Sequence, residues 1–303
     1  MIRVSFIIAT FNRAGGIVAT LTSLLEQSLG REMFEVVVAD NNSTDDTAAR
    51  VRDFAAGNPS MQIVYTFEPR QGLSYARNAA IAHSRGELLV VVDDDELIDP
   101  ALAQVYLDFF DARPEAAAAG GVVVPRYGVE RPRWFSPWIE ELISGSFYLG
   151  DKVRRFGRGR YPRGGNFCIR RSMIDRYGLF NTDLGRQGGK ALSGEEKDLL
   201  GRLTEGGERL YYLPGAIIEH LIPDAKVTDE YFRRVSRMLG VSERIRTLSL
   251  SRWRYLGRLA LEVVKWGGAA VYALGYLLRA TPVRGLYLLR MRWQVTCGLL
   301  QKP

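Results

Sequence analysis

Asp93, Asp94, Asp95 and Glu96 follow directly on the all-apolar run Leu88 to Val92. Four carboxylates at the end of a buried strand repel one another unless a cation offsets them, and hard divalent ions prefer carboxylate oxygens. A bound divalent metal is one resolution. A solvated turn whose acids cap the helix near Pro100 is the other, and Asp99 can provide that cap alone. The preceding strand and the polar loops elsewhere favour the metal. A second polar cluster, Asp40-Asn41-Asn42-Ser43-Thr44-Asp45-Asp46, closes the run Val36 to Ala39. Its side chains can accept from the N–H groups of a uracil ring, while Ser43, Thr44 or Asp45 caps the helix that begins near Asp46. Spacing alone does not separate base recognition by Asp40 from capping.

The elements that must position these clusters are short apolar runs alternating with stretches of helical period. Val4 to Ala9, Val36 to Ala39, Gln62 to Phe67 and Leu88 to Val92 read as strands. Between them Ile17, Leu21, Leu24 and Leu25, then Thr47 to Phe54, then Tyr75 to Ala82 repeat at helical spacing. This is the pattern of βαβ units building a mostly parallel sheet. The loops Thr10 to Arg13, Asp40 to Asp46, Arg70 to Ser74 and Asp93 to Glu96 then share one sheet edge, where ligands bind in such folds.

Beyond Pro100 a helix to about Phe110 leads to the strand Ala118 to Val124. Residues 125–165 carry Arg, Gly, Pro and aromatics with little period, which points to a functional loop or lid. Trp134, Phe135 and Trp138 can stack on a sugar or lipid acceptor or can anchor packing. Arg154, Arg155, Arg158 and Arg160 can attract a diphosphate or keep the loop solvated. Asn166 to Ile169 reads as a returning strand, Met173 to Tyr177 and Gly194 to Thr204 as helices, and the chain from Asp229 onward as helical.

With 303 residues, 47% apolar and 25% charged, the chain is long enough to bury a full core and fits neither disorder nor a multi-span transporter. Cys168 and Cys297 make no zinc cluster or disulfide framework. The net charge of +7 is uneven: residues 226–303 hold 15 Lys and Arg against 4 Asp and Glu. An arginine- and aromatic-rich tail points to anionic lipid or nucleic acid. Ile2 to Ala9 reads as a strand rather than as a signal peptide, which places the catalytic part in the cytosol.

Six strings in order resemble the motifs of family 2 glycosyltransferases with the GT-A type of nucleotide-sugar fold. They are Val4-Ser5-Phe6-Ile7-Ile8-Ala9-Thr10-Phe11-Asn12-Arg13, Asp40 to Asp45, Gly72-Leu73-Ser74-Tyr75-Ala76-Arg77-Asn78, Asp93-Asp94-Asp95, Gly164-Gly165-Asn166 and Gly194-Glu195-Glu196-Lys197-Asp198-Leu199. The resemblance runs from residue 2 to about residue 240. It implies a Rossmann-like α/β fold: a mixed, mostly parallel sheet with helices on both faces, followed by a C-terminal helical membrane-associating segment. Residues 1–225 would form the catalytic domain, with 1–100 the nucleotide-binding half and 101–225 the acceptor-binding half. Residues 226–303 would form the basic helical segment.

The resemblance also implies roles. Thr10, Asn12, Arg13, Asp40, Asn42, Arg77, Asp93 and Asp94 would bind the nucleotide sugar. Thr10 and Asp40 would hold the base, Arg77 would reach the base or the diphosphate, and Asp94 would lie near the ribose or sugar. Asp95 and Asp93, joined by His220, would hold Mg²⁺ or Mn²⁺ bridging the donor's diphosphate. Glu196 would be the base that deprotonates the acceptor, with Glu195 or Asp198 in its place if the extra methylene misplaces it, because the family shows Glu-Asp where this chain has Glu195-Glu196. Gly164, Gly165 and Asn166 would floor the acceptor pocket, with Trp134 and Trp138. One base opposite one metal implies displacement with inversion.

Leu259 to Leu278 is apolar apart from Glu262, Lys265 and Gly267-Gly268, and a spanning helix needs ~20 mostly apolar residues, so spanning is disfavoured. Val283 to Leu300 interleaves Arg284, Arg290 and Arg292 with Leu, Tyr and Trp, which suits helices in the headgroup layer of an anionic leaflet. An ordinary helical subdomain is the alternative. The expected partners are a nucleoside-diphosphate sugar, a saccharide or polyprenyl- or lipid-linked acceptor, and an anionic membrane surface through 250–303, with no nucleic acid. The expected place is the cytoplasmic face of the inner membrane, peripheral or monotopic. Two rivals stand beside this reading. One is a nucleotide-sugar or nucleotidyl transferase that makes a donor, which would need a Gly-rich phosphate loop after the first strand. The other is a non-catalytic basic protein binding nucleic acid or membrane.

Overall fold

The computed structural model describes residues 1–157, 159–187 and 192–301. Four strands, β1 (Val4–Thr10), β2 (Phe34–Asp40), β3 (Ile63–Phe67) and β4 (Leu88–Asp93), pair in parallel in the order β3-β2-β1-β4. Every residue of β1 and β2 is buried, as expected of parallel strands covered on both faces. Alternation then decides which layer each side chain joins. Val4, Phe6 and Ile8 pack with Ile17, Leu21 and Leu24 of α1 (Ile17–Leu24) and with Leu102, Tyr106 and Phe110 of α4 (Leu102–Ala112). Ile7 and Ala9 join Ala76, Ala80 and Ile81 of α3 (Leu73–Ala82) and Leu199, Leu200 and Leu203 of α7 (Glu195–Glu205) on the opposite face. Between α1 and α3 in the chain lies α2 (Thr47–Gly57).

The remaining strands make the sheet mixed. β4 pairs antiparallel with β8 (Phe167–Arg170), β8 with β6 (Ala116–Tyr127), and β5 (Glu96–Ile98) and β7 (Arg154–Arg155) with β9 (Arg209–Ile222). The path beyond β4 runs β8-β6-β9-β5. The helical period around Met173 becomes α6 (Arg171–Tyr177). Two elements depart from the sequence reading. Residues 125–165 are not wholly irregular: Pro137 opens α5 (Pro137–Ser144) and Gly145, at φ +67°, ends it. β9 is long although Pro214 and Gly215 lie inside it, residues that ordinarily mark a strand edge or bulge. Arg158 lies outside the described residues.

The chain divides into two compact units: residues 1–126, 147–182 and 195–221 form one, and residues 127–146, 183–194 and 222–303 the other. In the second, a 3₁₀ turn (Asp224–Val227) precedes α8 (Asp229–Leu250), α9 (Arg252–Leu278) and α10 (Pro282–Leu300). Ser251 is extended and its hydroxyl accepts from Arg254 N–H, which separates α8 from α9. Ala280, at φ +53°, and Pro282 separate α9 from α10. Phe135, Ile139 and Phe232 share a core with Leu288, Met291, Val295 and Leu299. No described helix is long and apolar enough to cross a membrane.

Helices α8 and α10 meet where Gly240 faces Gly298. A Cβ on Gly240 would lie 2.1 Å from the Val295 carbonyl oxygen, and one on Gly298 2.0 Å from that of Arg237. Gly298→Val is therefore expected to lower unfolding free energy by about 1–3 kcal/mol in urea titration. Gly257→Ala, on an open face of α9 with nothing within 4 Å, is expected to leave it unchanged or raise it by about 0.4–1 kcal/mol.

Candidate active site

The parallel register brings Thr10, Asp40 and Phe67 level at the strand ends, with Asp93 one step beside them. The loops that leave these ends are sewn together by short polar side chains. Asn12 N–H donates to Ser43 Oγ at 2.9 Å and Thr44 N–H to Asn12 Oδ1 at 2.8 Å. Asn12 and Asn42 take φ +52° and +62°, a region asparagine tolerates better than most residues. Asp45, one residue before the N-cap Asp46, accepts from the N–H of Thr47, the first residue of α2, at 3.0 Å.

Asp40 is buried and accepts from Ser43 N–H at 2.9 Å and from the Tyr65 hydroxyl at 2.9 Å. Asn41 ties this loop to the turn before α3, donating to the Glu68 and Arg70 carbonyls and accepting from Gly72 N–H. Sequence reasoning passed over Tyr65 and named Asn41 only as a member of the Asp40 to Asp46 cluster, with no role of its own. A polar residue one place past a strand end is the signal that marks Asn41, whereas Tyr65 sits in a strand like any other aromatic.

The acids at the end of β4 each have a defined place. Asp94 and Asp95 face Arg13, whose Nε lies 3.3 Å from Asp94 Oδ1 and whose Nη2 donates to Asp95 Oδ2 at 2.8 Å. Burial raises the Asp94 pKa to about 6; Arg13 opposes the shift, and the charges of Asp95 and Asp93 add to it. The buried Thr10 hydroxyl borders Asp94. Glu96 turns inward, accepts from Asp93 N–H at 2.8 Å, and is pushed well above the carboxylate range by burial and by the charge of Asp93. His220 on β9 brings Nε2 to 3.4 Å from Asp95 Oδ1.

Arg77 joins the two halves of the cluster. It is 1% exposed, and donates from Nη2 to Asp93 at 2.8 Å and from Nη1 to Glu196 at 2.7 Å and Glu195 at 3.1 Å. Burial opposes its charge, yet the carboxylates of Glu196, Asp93 and Glu195 outweigh that and raise its pKa. Its two terminal nitrogens are thus engaged by carboxylates. Glu195 is pushed above the carboxylate range by burial and then by the charge of Glu196, against the pull of Arg77. Its buried Oε2 has no hydrogen-bond partner among the described residues, a further reason for the charged form to be disfavoured. Asp198 turns away to Arg202, one turn along α7.

Gly164 and Gly165 give these acids room. A Cβ on Gly164 would lie 2.1 Å from Glu196 Oε1, and one on Gly165, at φ +84°, 2.1 Å from Glu96 Oε1. The amide of Asn166 is fully used in the core: it accepts from Tyr106 OH at 2.7 Å and donates to the Val122 and Ala216 carbonyls. Trp134 and Trp138 belong to the second unit. Trp134 stacks on Tyr287 with centroids 4.5 Å apart, and Trp138 is 45% exposed with its edge on Tyr272. Arg154 and Arg155 are exposed on β7. Among the described residues no group of three or more His, Cys, Asp or Glu stands ready to hold a metal unaided.

Comparison with known proteins bears on what this edge does. Residues 5–178 match the profile described as Glycosyl transferase family 2. A glucosyl-dolichyl phosphate glucuronosyltransferase of Haloferax volcanii is 25% identical over 81% of this chain and 78% of its own. The succinoglycan biosynthesis protein ExoM of Rhizobium meliloti is 29% identical over 69% of this chain, which spans 64% of that relative's length. A mannosyltransferase from Pyrobaculum calidifontis, solved with GDP-Man and Mn²⁺, superposes with a TM-score of 0.62 at 21% identity, covering 97% of this chain and 87% of its own. At that identity the likeness speaks for the fold, which is the GT-A fold of glycosyltransferases. With more than half its length inside the matched profile, the chain belongs to glycosyl transferase family 2.

Proposed function

We propose that this transferase moves a sugar from a nucleoside-diphosphate donor, UDP-linked in our reading, to a hydroxyl of a saccharide or lipid-linked acceptor, with inversion at the anomeric carbon. The observation that carries the reading is Arg77 bridging Asp93 at the end of β4 to Glu196 at the start of α7. It holds a donor-side acid and a base candidate in one rigid group. Asp40, with Tyr65, offers acceptor oxygens to a base, and Arg13 offers a guanidinium suited to phosphate oxygens.

The donor set at Asp95 fits a divalent cation. Asp95 Oδ1 and His220 Nε2 lie 3.4 Å apart, close enough to share one ion. Protein ligands this few leave the remaining positions to diphosphate and water, as is usual for Mg²⁺. Asp95 and His220 would hold Mg²⁺ or Mn²⁺, which would supply charge compensation for the departing diphosphate, while Asp93, paired with Arg77, does not complete a third protein ligand as the sequence reading expected. The chain's own residues do the rest. Glu196 takes the proton of the acceptor hydroxyl as that oxygen bonds to the anomeric carbon and the bond to the diphosphate breaks. Glu195, holding its own proton, limits the negative charge beside Glu196, and Arg77 fixes both.

The setting we infer is surface polysaccharide or glycolipid synthesis at the cytoplasmic face of a bacterial inner membrane, with the basic residues 250–303 on an anionic leaflet. One named relative is described as a glucosyl-dolichyl phosphate glucuronosyltransferase and the other as a succinoglycan biosynthesis protein, which supports acceptors of this kind.

Thermal unfolding with UDP, GDP and dTDP, each with and without Mn²⁺, tests the donor site. One nucleotide is expected to raise the melting temperature in a metal-dependent way, and Asp95→Ala is expected to abolish the rise. No rise with any nucleotide in folded protein would overturn the donor assignment. For the base, Glu196→Gln is expected to lower kcat by about 10²- to 10⁴-fold with nucleotide binding retained; an unchanged kcat would exclude it.

Glu195 gives a pH signature without any substrate. Its pKa is raised on folding, so the folded chain keeps a proton that the unfolded chain has released. The stability linked to that proton is present below the ordinary glutamate range and is lost as pH rises through the raised value. Urea titrations of the wild type are expected to show stability falling from mildly acidic to neutral pH and above, while Glu195→Gln flattens that slope.

A further inference from the structure

Helix α9 carries its charges and its apolar residues on unexpected sides. Glu262 is 3% exposed and accepts from Arg258 Nη1 at 2.8 Å and from Arg292 Nη1 of α10 at 3.2 Å. Arg258 in turn donates to Glu243 of α8 at 3.2 Å. The acid that interrupts Leu259 to Leu278 in sequence is therefore neutralised inside the helical unit. Tyr255, Arg258, Glu262, Trp266 and Ala269 form the packed seam, recurring every three or four residues.

Outside that seam the helix is mostly apolar and exposed, apart from Leu259, Tyr272 and Ala273, which meet neighbouring side chains or helices. Val263, Val264, Val271, Leu274, Leu277 and Leu278 are between 58% and 79% exposed. From Leu259 to Leu278 the outward side bears one charge, Lys265. Twenty helical residues extend about 30 Å, so the face is long as well as apolar, the kind of contiguous patch that marks an interaction surface. Its ends are basic. Arg252 and Arg254 flank Trp253, which is 82% exposed, and Arg279 follows the last turn.

A second copy of this chain would cover the apolar face poorly. Paired antiparallel, Arg252 and Arg254 would meet the other copy's Arg279; paired in parallel, each would meet its own kind. An anionic leaflet answers both features at once, with acyl chains along the face and phosphates at its ends. No described helix is long and apolar enough to cross a membrane, which favours lying over spanning.

We propose that the outward face of α9, from Leu256 to Leu278, lies lengthwise in the headgroup and acyl boundary of an anionic lipid leaflet, with Arg252, Arg254 and Arg279 on lipid phosphates. This rests on the membrane-surface part of the reading above and is independent of the transfer chemistry.

The test is flotation of the full chain with phosphatidylcholine vesicles, with and without phosphatidylglycerol, beside sedimentation velocity of the protein alone. Val264→Ser with Val271→Ser leaves the charge unchanged and alters exposed positions, and its circular dichroism and melting are expected to match the wild type. The wild type is expected to float with phosphatidylglycerol vesicles and to partition at least tenfold less into neutral ones. The double variant is expected to partition at least tenfold less than the wild type. Three results would overturn the proposal: no flotation of the wild type, equal flotation of the double variant, or a wild-type dimer that the two substitutions dissociate. Flotation by a protein that binds no nucleotide would support the proposal while counting against the donor site.

Discussion

A single guanidinium holds the acid cluster at the sheet edge together. Arg77 enters from α3 and meets the carboxylate of Asp93 from the end of β4 and, from the start of α7, the carboxyl groups of Glu196 and Glu195. Burying an arginine is unfavourable unless its charge is matched, and burying acids beside one another is worse. Here each solves the other's problem, and the geometry follows: α7 must begin where its first turn reaches Arg77, and β4 must end beside it. The glycines at 164 and 165 belong to the same constraint, because the space their missing side chains leave is where Glu196 and Glu96 sit.

That constraint also connects two parts of the chain with different standing. The family profile ends at residue 178, before Glu195, Glu196 and His220. The three residues join the site through contacts instead: Arg77 to Glu195 and Glu196, and Asp95 to His220. A salt-linked cluster that spans the matched and unmatched stretches gives the later residues a physical reason to belong to the site, apart from any likeness of sequence.

How much was legible in the sequence follows from how local each feature is. β1, β2 and β4 carry apolar runs, Phe6 to Ala9, Val36 to Ala39 and Leu88 to Val92, because both their faces are covered, and such runs stand out. The acids after Val92 and the Asp40 to Asp46 loop were equally visible, since they lie at the ends of those runs. β9 was missed because its pairing partners are distant and Pro214 and Gly215 imitate a turn, and α5 because eight residues are too few to establish a period. Within the site, the link between Arg77 and Glu196 joins positions 119 residues apart, which no local spacing encodes. Asn166 stood out in sequence, but only the fold shows its amide clamped between β6 and β9.

Helix α9 inverts the usual arrangement, with ion pairs inside and valines and leucines outside. A hydropathy average over such a segment blends two sides that never share an environment. Glu262 and Arg258 weigh in it as though water saw them, although they satisfy each other out of its reach. The quantity that governs how this helix partitions is the outward half alone, and there the segment is far greasier than its composition states.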